Sequence, residues 1–532
     1  MKKTARKLIS VLLSILLAFS MATVGFAKEK VTPVIVVSGM NAFPLTLADT
    51  GEQVWPIQSD SILSVVKDNI LPLTEFLFTY NWQKVGDEVI GDVYKALFEK
   101  VACDEKGNSV YDVETRIFSK SLDNYPDDFN EDDTVSEGGI ARSIMREIGA
   151  ENVYYFNYDW RLSPMKHAEA LNTFIENVKK EKGADKVTLV PCSMGGTVTN
   201  AYLYKYGNSS VKKVIYTMSA IQGLSSVGEM FNRNIDVDLD TIMNYIFSIQ
   251  KDDIKMQIIM ALVNTLVEAT PCITKFADKF IDDSLVELND RVYDELMIES
   301  MGKFPGWWAL VPDEYYDSAK EIFFGGNIPE SFEKLIDSYH YNVQRNAEKI
   351  MKDTADKGTE VYVLASYGFV GAPYTNQAMT QTDGLIETHH QSGRAVTAPY
   401  GETLGKNYVA KSTKCSDKTH RHLSADGIID ASTCFFPEQT WFIKFNRHVG
   451  MPIDTDCEKL MRYLVTSDSY VNVCSNEKFP QFMELNRLTG ELTSLTGDRI
   501  RADLRDKDSS FIIRLVIICD TIIKNIKTNL PF

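Results

Sequence analysis

Ser193 stands in "LVPCSMGGTV", Leu189 to Val198, directly after an apolar run and directly before a glycine pair. A serine hydroxyl becomes a useful nucleophile only when a base lies within hydrogen-bond reach and a third group orients that base. A tight strand-to-helix turn with small neighbours serves this chemistry, because it exposes the hydroxyl and lets backbones approach closely. Gly195 is the small residue two positions on, and the amide of Met194, opening the helix, is suited to donate to an oxyanion. Two positions before the serine, where glycine is usual, stands Pro191, which fixes φ and lacks an amide. The plain alternative is an ordinary connection between a strand and a helix, so the choice rests on partners elsewhere in the chain.

Seven histidines are available, and His448 is singled out as the base because it comes just after the strand-like "TWFIKFNR". His389, His390, His420 and His422 fall in a polar stretch and are expected to face solvent. Two aspartates share one local pattern, Asp-Gly before two apolar residues: Asp383 in "TDGLIETHHQS" and Asp426 in "ADGIIDASTC". Asp383 is the favoured acid, since it leaves chain enough for a helix before His448. Asp426 is the alternative and Asp430 a weaker third; an aspartate not used here is expected to form a turn or cap. A second oxyanion donor is expected in "SGMNAF", from the amide of Met40 with Gly39 allowing the turn. The pairs His389-His390 and His420/His422 match no tight ligand spacing, so no metal is expected, and nothing resembles a nucleotide-binding loop. No cofactor is expected.

These residues need elements to hold them. "VTPVIVVSGMNAF", "NVYYFNYDW", "KVTLVP" and "VKKVIYTMSA" are short apolar runs of strand type, and the rhythm resumes at "TEVYVLASYGF" and "QTWFIKF". Ser163-Pro164 predicts a helix start; Met165, Ala168, Leu171, Phe174, Ile175 and Val178 recur at helical spacing, and Gly183 marks the stop. Strands alternating with helices predict the α/β class, a mostly parallel sheet with helices on both faces. From Gly223 to Asp356 the pattern turns helical and aromatic, richest in "FPGWWALVPDEYYDSAKEIFFGG", and reads as an inserted cap. Trp307 and Trp308 could line an acyl pocket there, although aromatics at such spacing usually build core. The organisation expected is a core in two parts, 28–222 and 357–532, the second finishing in helices, with the cap at 223–356 between them.

The first residues, "MKKTARKLISVLLSILLAFSMATVGFAKEK", run from basic to apolar to small and read as a signal peptide over 1–27, or as a membrane anchor if uncleaved. The body is therefore expected outside the cytoplasmic membrane. "FIIRLVIICDTIIKNIKTNL" carries Arg514, Asp520 and Lys524 and reads as a packed or interfacial helix rather than a span. A formal charge of −17 disfavours nucleic acid. Eight cysteines are too few for a disulfide scaffold in a chain of 532 residues, although Cys457 with Cys474, or Cys415 with Cys434, could close loops.

Taken in order, these strings resemble the lecithin:cholesterol acyltransferase family of α/β-hydrolase lipases and acyltransferases. "YDWRL", Tyr158 to Leu162, followed by a helix and then the serine turn, is the most specific; "VVSG", "WWALVP" and Asp-Gly ahead of a late histidine are similar too. The resemblance spans roughly Pro33 to Met451. It implies an α/β-hydrolase fold with a lid, acyl ester substrates, and the order Ser193, Asp383 or Asp426, His448. The family turn has a small residue and histidine before the serine, where this chain has Pro191 and Cys192. Arg161 and Asp159 are expected to form a structural ion pair near the site.

The function expected is a secreted serine hydrolase or acyltransferase acting on a lipid or other carboxylic ester, with a membrane or micelle interface as one place of encounter and with no obligate protein partner. A small-ester or cell-envelope esterase, and a catalytically silent binding protein on the same scaffold, are the alternatives.

Overall fold

The computed structural model describes residues 31–57, 83, 89–129, 138–235, 290–375, 380–410, 420–448, 456–486 and 489–495. The expected signal peptide, Cys415 and the apolar segment from Phe511 lie outside the described residues.

Eight strands make the main sheet: β1 (Val34–Val37), β2 (Val153–Phe156), β3 (Val187–Pro191), β4 (Val211–Thr217), β5 (Glu360–Tyr367), β6 (Thr440–Lys444), β7 (Phe482–Leu485) and β8 (Leu492–Ser494). Their order across the sheet is β8-β7-β6-β5-β4-β3-β1-β2. Every neighbouring pair is parallel except β7 with the edge strand β8. β1, β2 and β3 are buried along their whole length, as strands covered on both faces must be.

Alternation along β1 divides the core in two. Ile35 and Val37 pack with Leu171 and Ile175 of α2 (Pro164–Lys182) and Val198 and Ala201 of α3 (Gly195–Tyr206). Val34 and Val36 face the other way, toward Ile140 and Ile144 of α1 (Gly138–Ile148) and Leu460 and Leu464 of α9 (Asp456–Thr466). The helix boundaries of α2 follow its sequence: Ser163 Oγ accepts from the Met165 amide, Pro164 takes the first position, and Gly183 closes the helix at φ 56°. This architecture is that of an α/β-hydrolase.

In the region expected to be the cap, the described residues are helical: α4 (Ser225–Phe231), α5 (Asp313–Phe324), α6 (Glu330–Tyr339) and α7 (Ala347–Asp356). Trp308 is core within it, its Nε1 donating to Gly302 O at 2.8 Å and its ring packed on Phe231 and Phe324. By packing, α7 belongs with the helices that cover the sheet, since Ala347 and Met351 share a core with Val198 of α3.

The structure corrects several expectations. Beyond His448 the sheet continues through β7 and β8, at the start of the stretch where a helical ending was expected, and residues 496–532 of that stretch lie outside the described residues; the short run Phe482–Leu485 carries no periodicity that separates strand from buried helix. His390 and His422 are buried and His389 half-buried, because the polar stretch folds back over the strand ends. Cys457 and Cys474 are not bonded to each other: the first is buried against the sheet and the second is exposed beside His420. Cys434 is a buried thiol 3.0 Å from Ala431 O.

Candidate active site

β3 ends at Pro191 and α3 begins at Gly195, so the chain reverses within three residues. Ser193 absorbs the reversal with φ 51°, a left-handed conformation that side-chain-bearing residues adopt at a cost. Three bonds hold it there: the Cys192 amide to Val37 O at 3.0 Å, the Ser193 amide to Thr217 O at 3.3 Å, and the Ala220 amide to Ser193 O at 2.9 Å. Successive amides of a strand point to opposite sides. With Cys192 bonded toward β1 and Ser193 toward β4, the amide that Pro191 lacks falls on the β4 side. The Pro191 carbonyl remains engaged, accepting from Ser219 Oγ at 2.9 Å.

Gly195 is required by contact rather than by φ. A Cβ there would lie 2.4 Å from Val37 O and 2.7 Å from Ser38 O, so the start of α3 is pressed against the backbone leaving β1. That approach brings the Met194 turn beside the loop carrying Met40. Among the described residues neither the Met194 nor the Met40 amide donates to a protein acceptor. The loop itself is anchored through Tyr158, whose hydroxyl donates to Ser38 O at 3.0 Å, and through Ser38 Oγ, which donates to Asn157 Oδ1 at 3.0 Å.

His448 follows β6 and turns back over the strand ends. Its Nε2 lies 2.9 Å from Ser193 Oγ and its Nδ1 lies 2.7 Å from Asp383 Oδ2. The backbone repeats the pairing, the His448 amide donating to Asp383 O at 2.7 Å. Asp383 is fully buried, and its second oxygen accepts from the amides of Leu385 and Ile386 at 3.0 and 2.8 Å. A carboxylate held by two amides and one imidazole has its lone pairs directed and little freedom to swing.

Asp426 takes no part in this chain. Its Oδ2 accepts from Lys444 Nζ at 2.9 Å and Tyr367 Oη at 3.0 Å, while Oδ1 accepts from Ser424 Oγ at 2.6 Å. Asp430 caps a short turn at Ser432 and accepts from Tyr408 Oη. Both are therefore spent on local structure, the ordinary use of aspartate beside a turn.

Arg161 and Asp159 form a bidentate pair, Nε to Oδ1 at 3.0 Å and Nη2 to Oδ2 at 2.6 Å. Arg161 is fully buried and also donates to Val101 O and Ser109 Oγ, tying the segment around Cys103 to the end of β2. His167 Nε2 meets Asp159 O at 2.7 Å, and burial lowers the His167 pKa to about 4, keeping the ring neutral. The segment expected to be the cap rests on the same loop: the Gly306 amide donates to Arg161 O at 2.9 Å, and a Cβ on Gly306 would meet Trp160 O at 1.9 Å and Met194 Cε at 2.8 Å. Trp307 is partly buried and stacked on Phe231.

Sequence reasoning passed over Glu387, Ser225 and Asn446. Buried Glu387 accepts from the Ser225 amide at 3.1 Å, linking the segment after Asp383 to α4. Burial pushes its carboxyl pKa up to about 7. Asn446 Nδ2 donates to Ser366 Oγ at 3.0 Å and steadies the approach to His448. For Glu387 and Asn446 the signal available was proximity in sequence to Asp383 and His448, and Ser225 carried none.

Comparison with known proteins finds a family match over part of the chain. Residues 145–230, which include "YDWRL" and the serine turn, match the lecithin:cholesterol acyltransferase family. No curated protein matches the chain. Among solved structures, the Tle4-Tli4 complex is similar at 16% identity over 38% of this chain and 48% of the other, with a TM-score of 0.18. The esterase EaEST from Exiguobacterium antarcticum is similar at 14% identity over 42% of this chain and 77% of its own, with a TM-score of 0.17. The chain thus spans about half the length of the Tle4-Tli4 chain it matches.

Proposed function

We propose that this chain, a lecithin:cholesterol acyltransferase-like α/β-hydrolase whose family likeness spans residues 145–230, is a serine esterase or acyltransferase acting on lipid or other carboxylic esters. The observation that carries the reading is the continuous hydrogen-bonded chain from Ser193 Oγ through His448 to Asp383, built on a serine at positive φ.

In this reading Asp383 accepts from Nδ1–H of His448, which leaves the Nε2 lone pair facing the serine hydroxyl. Nε2 takes the proton as Oγ adds to the ester carbonyl, and the amides of Met194 and Met40 receive the charge that forms on the carbonyl oxygen. Collapse of the tetrahedral species returns the proton to the leaving alcohol and leaves an acyl group on Ser193. Water, or an acceptor alcohol, then adds in the reverse sense with His448 again as base. The start of α3 beneath the turn adds the favourable end of a helix dipole to the same oxygen.

The cap segment laid against Trp160 and Met194 supports an ester substrate with an apolar acyl chain, met at a membrane or micelle surface. The basic-apolar-small leader supports action outside the cytoplasmic membrane. Among the described residues no helix is long and apolar enough to cross a membrane.

The test is turnover of p-nitrophenyl esters from acetate to palmitate by the wild type and Ser193→Ala, with and without an acceptor alcohol. Serine-dependent turnover that rises with chain length supports a lipid substrate, and a new ester in the presence of alcohol identifies transfer. Preference for acetate would favour a small-ester esterase instead. No turnover by folded protein would favour a binding scaffold.

A further inference from the structure

We propose that Glu314, His389 and His390 form a binding site for a divalent transition-metal ion of the zinc type, joining α5 to α8 (Thr388–Ser392), the short helix that follows the Asp383 loop. The site goes beyond the ester chemistry proposed above and stands apart from it.

One ring nitrogen of each histidine and one carboxylate oxygen of Glu314 lie within 4.8 Å of one another. Ligand atoms around a tetrahedral zinc stand about 3.4 Å apart, given bonds of about 2.0–2.2 Å, so small rotations of side chains close the set. The imidazole rings lie together, centroids 3.8 Å apart, and the Glu314 carboxylate reaches to 3.8 Å from His390 Nε2. Two imidazoles and one carboxylate are the donors of an open zinc site, whereas calcium and magnesium prefer sets made of oxygen.

His390 is the second, independent observation. Its side chain is almost wholly buried, Nε2 is engaged with Ser225 Oγ at 3.0 Å, and Nδ1 is buried without a protein partner. A buried ring nitrogen without a partner is costly in a protein interior, and a turn of the His390 ring that aims Nδ1 at an ion would relieve that cost. As the ring stands, Nε2 is the nitrogen that faces both Ser225 Oγ and the Glu314 carboxylate. Entry from solvent is open on one side, because the Glu314 side chain is 56% exposed.

No spacing motif announces the set, since Glu314 comes from one segment and the histidines from another far along the chain. An ion there would pin α5 to α8, and through Glu387 and Ser225 it would also brace α4.

The test uses the full chain, stripped with a chelator, dialysed, and titrated with zinc chloride under equilibrium dialysis with elemental analysis. About one zinc per chain is expected, with a rise in Tm on binding, and cobalt is expected to give visible bands of a low-coordinate nitrogen-oxygen site. Glu314→Gln, at an exposed position where folding is secure, and His389→Ala should each weaken binding at least tenfold. His420→Ala and Ser193→Ala should bind as the wild type does. Absence of stoichiometric zinc, or equal affinity in Glu314→Gln and His389→Ala, would overturn the proposal, whatever the outcome for ester turnover.

Discussion

His448 Nε2 stands 2.9 Å from Ser193 Oγ although 255 residues separate them, and β6 and β3 are not neighbours in the sheet. The contact arises because both residues leave the carboxyl ends of parallel strands, where loops from separated strands converge over one edge. The distance is set by topology, and the chemistry proposed depends on it.

The two aspartates should separate cleanly on substitution. Asp383→Asn is expected to lower kcat/KM by about 10⁴, since the amide disturbs the imidazole tautomer while keeping the shape. Asp426→Asn should keep activity within about tenfold and weaken the tie to Lys444, seen as a lower urea midpoint. Ester turnover and urea unfolding on the same two variants check both halves.

Gly195→Ala should damage fold and turnover together. The added Cβ meets two backbone carbonyls, which cannot swing aside, so a loss of about 1–3 kcal/mol is expected together with displacement of the Met40 loop. Denaturant unfolding and kcat measured side by side test this; a variant with wild-type values in both would contradict the close approach.

Which of these features could be read from residue order depended on how local their cause is. The bounds of α2 follow from Ser163, Pro164 and Gly183, which act within one turn of themselves. The strand at "KVTLVP" and the reversal after it are local too. The choice between Asp383 and Asp426 was not local, because both carry the same Asp-Gly pattern and differ only in what the fold sets beside them: His448 for one, Lys444 and Tyr367 for the other. Burial of His390 was invisible for the same reason, since it is created by α4 and α5. β7 and β8 were missed because short apolar runs carry no period.

Arg161 should be the most sensitive residue of the "YDWRL" string. Removing its guanidinium strands the Asp159 carboxylate and frees Val101 O, and loss of one partner of a buried pair costs about 3–5 kcal/mol. Arg161→Lys should recover little, as an ammonium cannot make the two parallel bonds. Thermal unfolding of Arg161→Ala and Arg161→Lys measures this directly.

His167 makes stability depend on pH in acid. Its pKa is about 4 when folded and about 6.5 when unfolded, so between these values the unfolded chain binds more protons. Its contribution is intact above pH 6.5 and is lost as pH falls toward 4, by at most about 3 kcal/mol. His167→Gln should flatten that part of the profile; an unchanged slope in urea unfolding would show that the ring is not held neutral.

The central claim is that Ser193 is activated by His448, and covalent labelling with a fluorophosphonate tests it most directly. Intact mass and peptide mapping of the folded chain should show one phosphonate, on Ser193, formed quickly in the wild type and absent from Ser193→Ala, with labelling of His448→Ala slowed by orders of magnitude. Folded wild type that takes no label, or label that persists in Ser193→Ala, would contradict it.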